Sequence, residues 1–222
     1  MMEAVIFDMD GVVSDTQQFH AQVESRLLSD LGVQMSPEQI TTRYAGRATE
    51  VWFPEALAGY GIEVDAASVS ALMATKWQLT WEMVRGRLQE ISGASQLIRQ
   101  LWSAGLRLAV ASSSTRPFIL EVLAELRLRP YFHTIVSSQQ VERGKPAPDI
   151  FLLAAQQLAV PPAQTVVIED GISGMVGARA AGMPSIGLVA KVDDCYPATL
   201  LVTTLEEITL PRLHALRTQA TG

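Results

Sequence analysis

The sequence predicts an α/β protein: a doubly wound, Rossmann-like and mostly parallel sheet, with an all-helical domain inserted after the first strand. A short apolar run, Ala4–Phe7, ends abruptly in acidic residues and indicates a buried strand. Residues 15–87 then show helical spacing and no strand pattern. From residue 88 onward, short apolar runs alternate with helical segments, which is typical of a parallel sheet covered by helices.

Helical spacing accounts for the whole inserted segment. Apolar residues recur at this spacing after Thr16, and Ser36-Pro37 starts a second helix because proline suits the first helical turn. A third helix follows Gly46, and a fourth covers residues 66–84. Such an insertion can form a lid over the carboxyl edge of the sheet, where ligands bind in open α/β folds.

Two domains follow from these patterns. We expect a core domain of residues 1–14 and 88–222, and a helical cap domain of residues 15–87. The core elements after the insertion are predicted as helices over 94–104, 117–126, 147–158 and 173–181, and strands over 108–111, 134–136, 165–168, 185–188 and 200–202.

Two acidic residues directly follow the first predicted strand. Residues two apart in a strand point the same way, so Asp8 and Asp10 leave on one side while Met9 points into the core. Two carboxylates this close repel unless a cation lies between them, and all-oxygen ligation favours Mg²⁺. An EF-hand calcium loop is excluded, because Gly11 is fourth rather than sixth and Phe19 is twelfth. Taken alone, the pair is equally compatible with a solvated turn.

A run of hydroxyls ends the second predicted strand. Ser112 and Ser113 lie just before a helix that begins near Arg116, so hydroxyls and free N–H groups can bind an anion there with help from the helix dipole. The alternative is an ordinary helix N-cap, which the motif favours when it is taken alone.

Charged residues follow two later segments of the core. Prolines stiffen the backbone after Lys145, which suits neutralising a phosphate or a nucleophile better than it suits a solvated side chain. Glu169 and Asp170 end another apolar strand, and Asp170 is the expected second metal anchor opposite Asp8. Four glycines there indicate close packing of the next helix on the sheet: Gly171, Gly174, Gly177 and Gly182.

Composition excludes several classes of protein. The net charge of the 222 residues is −6, and no basic run is present, so we expect no nucleic-acid partner and no anionic membrane surface. The single cysteine, Cys195, excludes an internal disulfide framework and favours a reducing setting, hence the cytoplasm. We expect a small phosphorylated metabolite as partner and favour a monomer.

In this order and spacing, the four motifs resemble those of the haloacid dehalogenase superfamily of aspartate-nucleophile phosphotransferases. The motifs are DxDGxxxDT at 8–16, the Ser112 hydroxyl, Lys145 in GKPAPD, and the acidic pair Glu169-Asp170. The helical insertion is similar to the cap of the branch that contains β-phosphoglucomutase and many sugar phosphate phosphatases.

The resemblance implies a role for each motif. Asp8 would attack phosphorus to form an aspartyl phosphate, and Asp10 would act as general acid and then general base. The Asp8 carboxylate, the Asp10 backbone carbonyl and Asp170 would hold Mg²⁺, with Glu169 supporting them. Lys145, with the Ser112 hydroxyl, would hold the phosphoryl oxygens. Because halide leaving groups need no proton, the acid at Asp10 favours phosphoryl transfer to or from oxygen over dehalogenation.

The reaction and the substrate contacts stay open at this stage. A phosphatase is favoured over a mutase, because Thr49 stands where the mutase likeness would place a cap arginine, and Thr115-Arg116 replaces the usual Lys-Asn pair. A catalytically silent binding protein is the third possibility, although such a protein should have lost a catalytic motif residue. The candidate substrate contacts are Gly11, His20, Arg47, Lys76, Ser113 and Arg116. Arg47 could equally be an exposed helix arginine. His20 could equally make simple capping interactions.

Overall fold

The computed structural model describes residues 1–44, 47–193 and 195–216, and its core is a six-stranded sheet. All paired strands are parallel, in the order β3-β2-β1-β4-β5-β6, so β1 lies between β2 and β4. The predicted fold class is confirmed. The strands are β1 (Ala4–Phe7), β2 (Arg107–Ser112), β3 (Thr134–Ser137), β4 (Thr165–Glu169), β5 (Ser185–Leu188) and β6 (Leu200–Val202).

Helices occupy most of the predicted positions. The helix predicted to start at residue 147 begins at Asp149, after the two prolines of GKPAPD, and a short last helix was not predicted although Thr209 caps it through its hydroxyl. Among the described residues, none of the helices is both long and apolar enough to cross a membrane. The helices are α1 (Gln17–Asp30), α2 (Pro37–Tyr44), α3 (Thr49–Ala58), α4 (Ala66–Val84), α5 (Ala94–Ser103), α6 (Arg116–Glu125), α7 (Asp149–Leu158), α8 (Ile172–Ala180) and α9 (Leu210–Ala215).

The sheet is covered on both faces, which explains why its strands are continuously apolar. Alternate residues of β1 point to opposite faces: Val5 and Phe7 pack into the apolar cluster that includes α5 and α6, whereas Ala4 and Ile6 pack into the cluster of α7 and α8. All four side chains are fully buried. The ends of the central strands are therefore fixed by a rigid core.

Helices α1 to α4 bury an apolar cluster of their own, which supports the proposed cap but leaves its boundaries a prediction. Within that cluster Trp52 stacks on Tyr44 with ring centroids 4.2 Å apart. The other two tryptophans of the cap also contact the core domain. Trp77 and Trp81 contact Phe118 of α6 at 5.3 and 6.2 Å between centroids, so they lie where the cap meets the core.

The two chain segments that join cap and core run side by side. Asp15 N donates to the carbonyl of Gln89 at 3.0 Å, and Ile91 N donates to the carbonyl of Val13 at 3.1 Å. These bonds form a short antiparallel two-stranded connection that includes the last residues of the first motif.

Candidate active site

The predicted motifs meet at the carboxyl edge of the sheet, at the end of β1. Asp8 follows β1 directly, and its N–H donates to the carbonyl of Ile168 in β4 at 2.9 Å. Ser112 and Glu169 are the last residues of β2 and β4, the two strands that flank β1. Met9 is fully buried in the core, as strand geometry predicted.

Lys145 is the cation at the centre of this edge. Its Nζ donates to Asp8 Oδ1 at 2.6 Å and to Glu169 Oε1 at 2.5 Å, and its side chain is 1% exposed. Burial disfavours the charged ammonium, but attraction to Asp8 and Glu169 outweighs it and raises the pKa of Lys145. The solvated-surface interpretation of this lysine is therefore wrong.

Three carboxylates surround that single cation. Ligand oxygens of Asp8, Glu169 and Asp170 all lie within 4.8 Å of one another. Burial and the charge of Glu169 raise the pKa of Asp8 to about 8, against the opposing effect of Lys145. Burial, Glu169 and Asp8 likewise raise the pKa of Asp170 well above its usual value. Such an excess of buried negative charge, presented by oxygen atoms alone, fits a hard divalent cation such as Mg²⁺.

Gly11 makes room for the acidic cluster. Its φ is +89°, and a Cβ at this position would lie 2.2 Å from Asp170 Oδ2. Its N–H donates to the carbonyl of Ser14 at 2.8 Å. The expected substrate contact at Gly11 is therefore replaced by a spacing role, since its donor is already used within the loop.

Gly174 has a similar role in α8, where helix packing was expected. A Cβ there would lie 1.8 Å from Glu169 Oε1, so this glycine accommodates a carboxylate. At Gly177 a Cβ would meet Phe151 of α7 at 3.0 Å and the Pro146 carbonyl at 3.2 Å, so this glycine permits close packing against α7 and the loop before it rather than on the sheet.

We expect Gly11→Ala to weaken Mg²⁺ binding by about tenfold or more, because the new methyl group displaces Asp170. The matched control is Gly32→Ala, since Gly32 has φ +86° and a Cβ added there would meet no other atom within 4 Å. Both variants should lose about 1–2 kcal/mol of stability from left-handed backbone strain. Equal Mg²⁺ affinities of the two variants, measured by calorimetry, would contradict the spacing role.

Asp10 has a separate set of partners from Asp8. Its Oδ1 accepts from Thr16 Oγ1 and from His20 Nε2 at 3.0 Å, and its Oδ2 accepts from Ser112 Oγ at 3.3 Å and Ser114 Oγ at 2.8 Å. Because an ionised carboxylate only accepts, His20 presents an N–H to it. Burial alone would raise the pKa of Asp10, but the positive charge of His20 and hydrogen bonds from His20, Thr16 and Ser114 hold that pKa well below its usual value.

The serine run donates hydrogen bonds to Asp10 and also forms part of the cavity wall. Ser112 is fully buried, and its hydroxyl accepts from the N–H of Ser114 at 3.0 Å while it donates to Asp10. Ser113 and Ser114 line the cavity. Ser114 was not singled out from the sequence, although its position two residues after Ser112 on the same loop could have indicated it.

A cavity of about 50 Å³ separates the cap from this edge. That volume holds only a few water molecules. The core contributes Asp8, Asp10, Ser113 and Ser114 to its wall; the cap contributes Gln17, His20, Glu24, Ile40, Tyr44, Arg47, Thr49, Trp52, Lys76 and Trp77.

The two predicted cap cations both line this cavity, and each is paired. Arg47 Nη2 donates to both carboxylate oxygens of Glu55 at 2.8 and 3.0 Å. Lys76 is buried, with its Nζ 2.8 Å from Glu24 Oε1 and 4.4 Å from the centre of the Trp77 ring. Gly46, after which the third helix was predicted, lies outside the described residues.

Sequence reasoning missed Glu24. It follows His20 by four residues and so shares its face of α1, where a buried acid is unusual. That position on an otherwise apolar stripe was the available signal.

Arg116 is not brought to the site, contrary to expectation. It is exposed in the first turn of α6, and its Nη1 donates to the carbonyl of Ile135 at 2.6 Å. The guanidinium therefore contacts the neighbouring strand β3, and Arg116 is absent from the cavity wall.

Comparison with known proteins agrees with the presence of the four motifs. A model of the haloacid dehalogenase-like hydrolase family matches residues 5–188. This chain belongs to that family. The resemblance inferred from the four motifs is thereby confirmed, and the match spans both the core strands and the helical insertion.

Relatives of this chain include both phosphatases and a mutase. It is 31% identical over 218 residues to the β-phosphoglucomutase of Bacillus subtilis, covering 96% of this chain and 94% of that protein. It is 33% identical over 184 residues to the fructose-1-phosphate phosphatase YqaB of Escherichia coli, covering 82% and 94%. A β-phosphoglucomutase structure from Clostridium difficile has a TM-score of 0.86 at 22% identity, covering 96% of each chain, and shows the shared fold.

Proposed function

We propose that this hydrolase is a Mg²⁺-dependent phosphatase that hydrolyses small phosphomonoesters, sugar phosphates among them, through an aspartyl phosphate. One observation carries the proposal. Asp8 lies against Lys145 in an acidic cluster, while Asp10, two residues away, is held by an independent set of donors. Such a division suits a nucleophile beside a separate proton-transfer group.

The steps follow from these positions. An Asp8 oxygen attacks phosphorus, the ester bond to the leaving oxygen breaks, and Asp10 gives that oxygen its proton. Because the pKa of Asp10 is held well below its usual value in the absence of substrate, Asp10 takes up this proton from solvent as the negatively charged phosphoryl group binds beside it. Asp10 then takes a proton from the water that attacks the aspartyl phosphate, which releases phosphate and restores Asp8. Lys145 neutralises charge on Asp8 and on the phosphoryl oxygens.

The carboxylates of Asp8 and Asp170 and the Asp10 backbone carbonyl are the proposed metal ligands, with Glu169 in support. When bound, Mg²⁺ supplies positive charge to the phosphoryl group during transfer. The excess of carboxylates over ammonium in the cluster supports this assignment.

We expect Mg²⁺ affinity to rise with pH. The pKa of Asp8 is raised to about 8, so below that pH Asp8 carries a proton that the cation must displace. The Asp8 proton alone should make the affinity increase by up to about tenfold per pH unit below about pH 8, and the raised pKa of Asp170 adds a second proton for the cation to displace. Calorimetric titration in two buffers of different ionisation enthalpy measures both affinity and proton release. A pH-independent affinity with no released proton would contradict the assignment.

A substrate panel tests the proposed activity. Phosphate release and product identity are measured with Mg²⁺ for sugar phosphates and nucleotides, beside Asp8→Asn and Asp10→Asn variants. The panel includes β-glucose 1-phosphate, with glucose 6-phosphate monitored. Release that both variants abolish supports a phosphatase. Conversion to glucose 6-phosphate with little release would instead identify a mutase, and no metal-dependent turnover would favour the silent binding protein.

A further inference from the structure

The cap wall of the cavity contains a buried ion pair that the proposed chemistry does not use. Glu24 Oε1 lies 2.8 Å from Lys76 Nζ, with side chains 8% and 3% exposed. Thr49 joins them: its hydroxyl donates to Glu24 Oε1 at 2.7 Å and accepts from Lys76. All three residues line the same cavity as Asp8 and Asp10.

A buried pair of this kind contributes little to stability by itself, because two charges must leave water to form it. Apolar residues of similar volume could fill the position between α1, α3 and α4. The pair is therefore better explained by a function in the cavity than by the stability of the cap interior.

The charges of the wall limit what the leaving group of a substrate can be. Of the described cavity-lining residues, the cap contributes Lys76 and Arg47, each bonded to a cap carboxylate, and His20, whose Nε2 is bonded to Asp10. Glu24 itself faces this shared space as a buried acid. A second phosphate or a carboxylate on the substrate would thus lie beside a cation that is already neutralised and close to another carboxylate. This environment is unfavourable for an additional negative charge.

A sugar or polyol hydroxyl fits the same wall. Each hydroxyl both donates and accepts, so it can donate to the Glu24 carboxylate and accept from the Lys76 ammonium. Buried polar groups of this kind reject analogues that leave them unpaired.

We propose that Glu24, paired with Lys76 and Thr49, determines specificity by selecting phosphomonoesters with an uncharged, hydroxylated leaving group and rejecting bisphosphates and sugar acid phosphates. This inference rests on the proposed phosphatase activity. It deepens that proposal by giving the substrate class and one residue that sets it.

The test compares matched substrates that differ in one charged group: fructose 1-phosphate with fructose 1,6-bisphosphate, and glucose 6-phosphate with 6-phosphogluconate. In Glu24→Gln, Lys76 is left as an unpaired cation, so the kcat/KM ratio should shift toward the charged member of each pair by about tenfold. Glu63→Gln is the control, since it makes the same charge change at an exposed cap position outside the cavity wall.

A second variant separates charge from folding. Glu24→Gln/Lys76→Gln removes both charges while it keeps side-chain volume, so kcat/KM for the neutral sugar phosphates should fall about tenfold without a gain for the charged ones. On an Asp8→Asn background, calorimetry with fructose 1-phosphate and fructose 1,6-bisphosphate should show the same change in relative affinity. Unchanged substrate ratios in both variants would overturn the specificity role.

Acetyl phosphate distinguishes the two proposals, because its acetate leaving group carries no hydroxyl for the cap. The wild-type protein and the Glu63→Gln control should hydrolyse it at similar rates, and Asp8→Asn should not. If wild type fails to turn over acetyl phosphate and every sugar phosphate, the phosphatase proposal is wrong and the specificity role falls with it. Retained acetyl phosphate turnover with unchanged sugar ratios overturns the specificity role alone.

Discussion

Asp8→Asn should reduce phosphate release by about 10⁴-fold or more, since removing a nucleophile eliminates the covalent route. The amide is nearly isosteric with the carboxylate and can still accept from Lys145 Nζ, which lies 2.6 Å from Asp8 Oδ1. The fold should therefore be retained. Single-turnover and steady-state phosphate assays on wild type and variant measure the effect.

Asp30→Asn is the matched control, because Asp30 is an exposed residue at the end of α1, outside the cavity wall. It should keep wild-type activity. If Asp8→Asn, verified by mass to be free of deamidation, kept more than about a hundredth of wild-type kcat, Asp8 could not be the nucleophile.

Lys145→Met should affect both stability and catalysis. The lysine is the cation bonded to Asp8 and Glu169 at 2.6 and 2.5 Å, and its removal leaves buried carboxylates facing one another. Breaking a buried pair in this way costs about 3–5 kcal/mol of folding free energy. Loss of a positive charge at the phosphoryl group should lower kcat by about 10²-fold to 10³-fold.

The effect of Mg²⁺ on the Tm distinguishes loss of the Lys145 charge within this cluster from a general loss of stability. With Lys145 absent, a bound cation is left to offset the carboxylates, so we expect Mg²⁺ to raise the Tm of Lys145→Met more than that of wild type. Lys191→Met, at an exposed position, is the control for loss of charge. An equal Mg²⁺-induced shift in all three proteins, measured by calorimetry, would show that Lys145 does not neutralise this cluster.

Much of the fold was predictable because buried strands and helices have recognisable patterns of apolar residues. The central strands are apolar on both faces, so β1 was predicted with its observed bounds, Ala4–Phe7. The bounds of α4, Ala66–Val84, were also predicted, and Asp65 caps its first turn by accepting from Ser68 N. Parallel strands bring their carboxyl ends together, which is why residues as distant in sequence as Asp8 and Lys145 could be assigned to one edge.

The cap contacts were less predictable, because they depend on how the helices pack rather than on spacing. Helical periodicity predicted that α1 buries one face, but it did not reveal that Glu24 on that face meets Lys76 from α4. Arg116 was expected to contact the substrate, whereas its long side chain instead reaches the carbonyl of Ile135. The contact of Ser114 with Asp10 likewise depends on the conformation of the loop after β2.

Direct observation of the aspartyl phosphate tests the central claim. Acetyl phosphate needs no proton on its leaving group, so Asp10→Asn should still be phosphorylated by it but should lack the base that activates water. After acid quench, peptide mass spectrometry should find one phosphoryl group on Asp8 of this variant, and borohydride should convert that residue to homoserine. Phosphorylation of another residue such as His20, or none while wild type turns over the same substrate, would contradict the proposed mechanism.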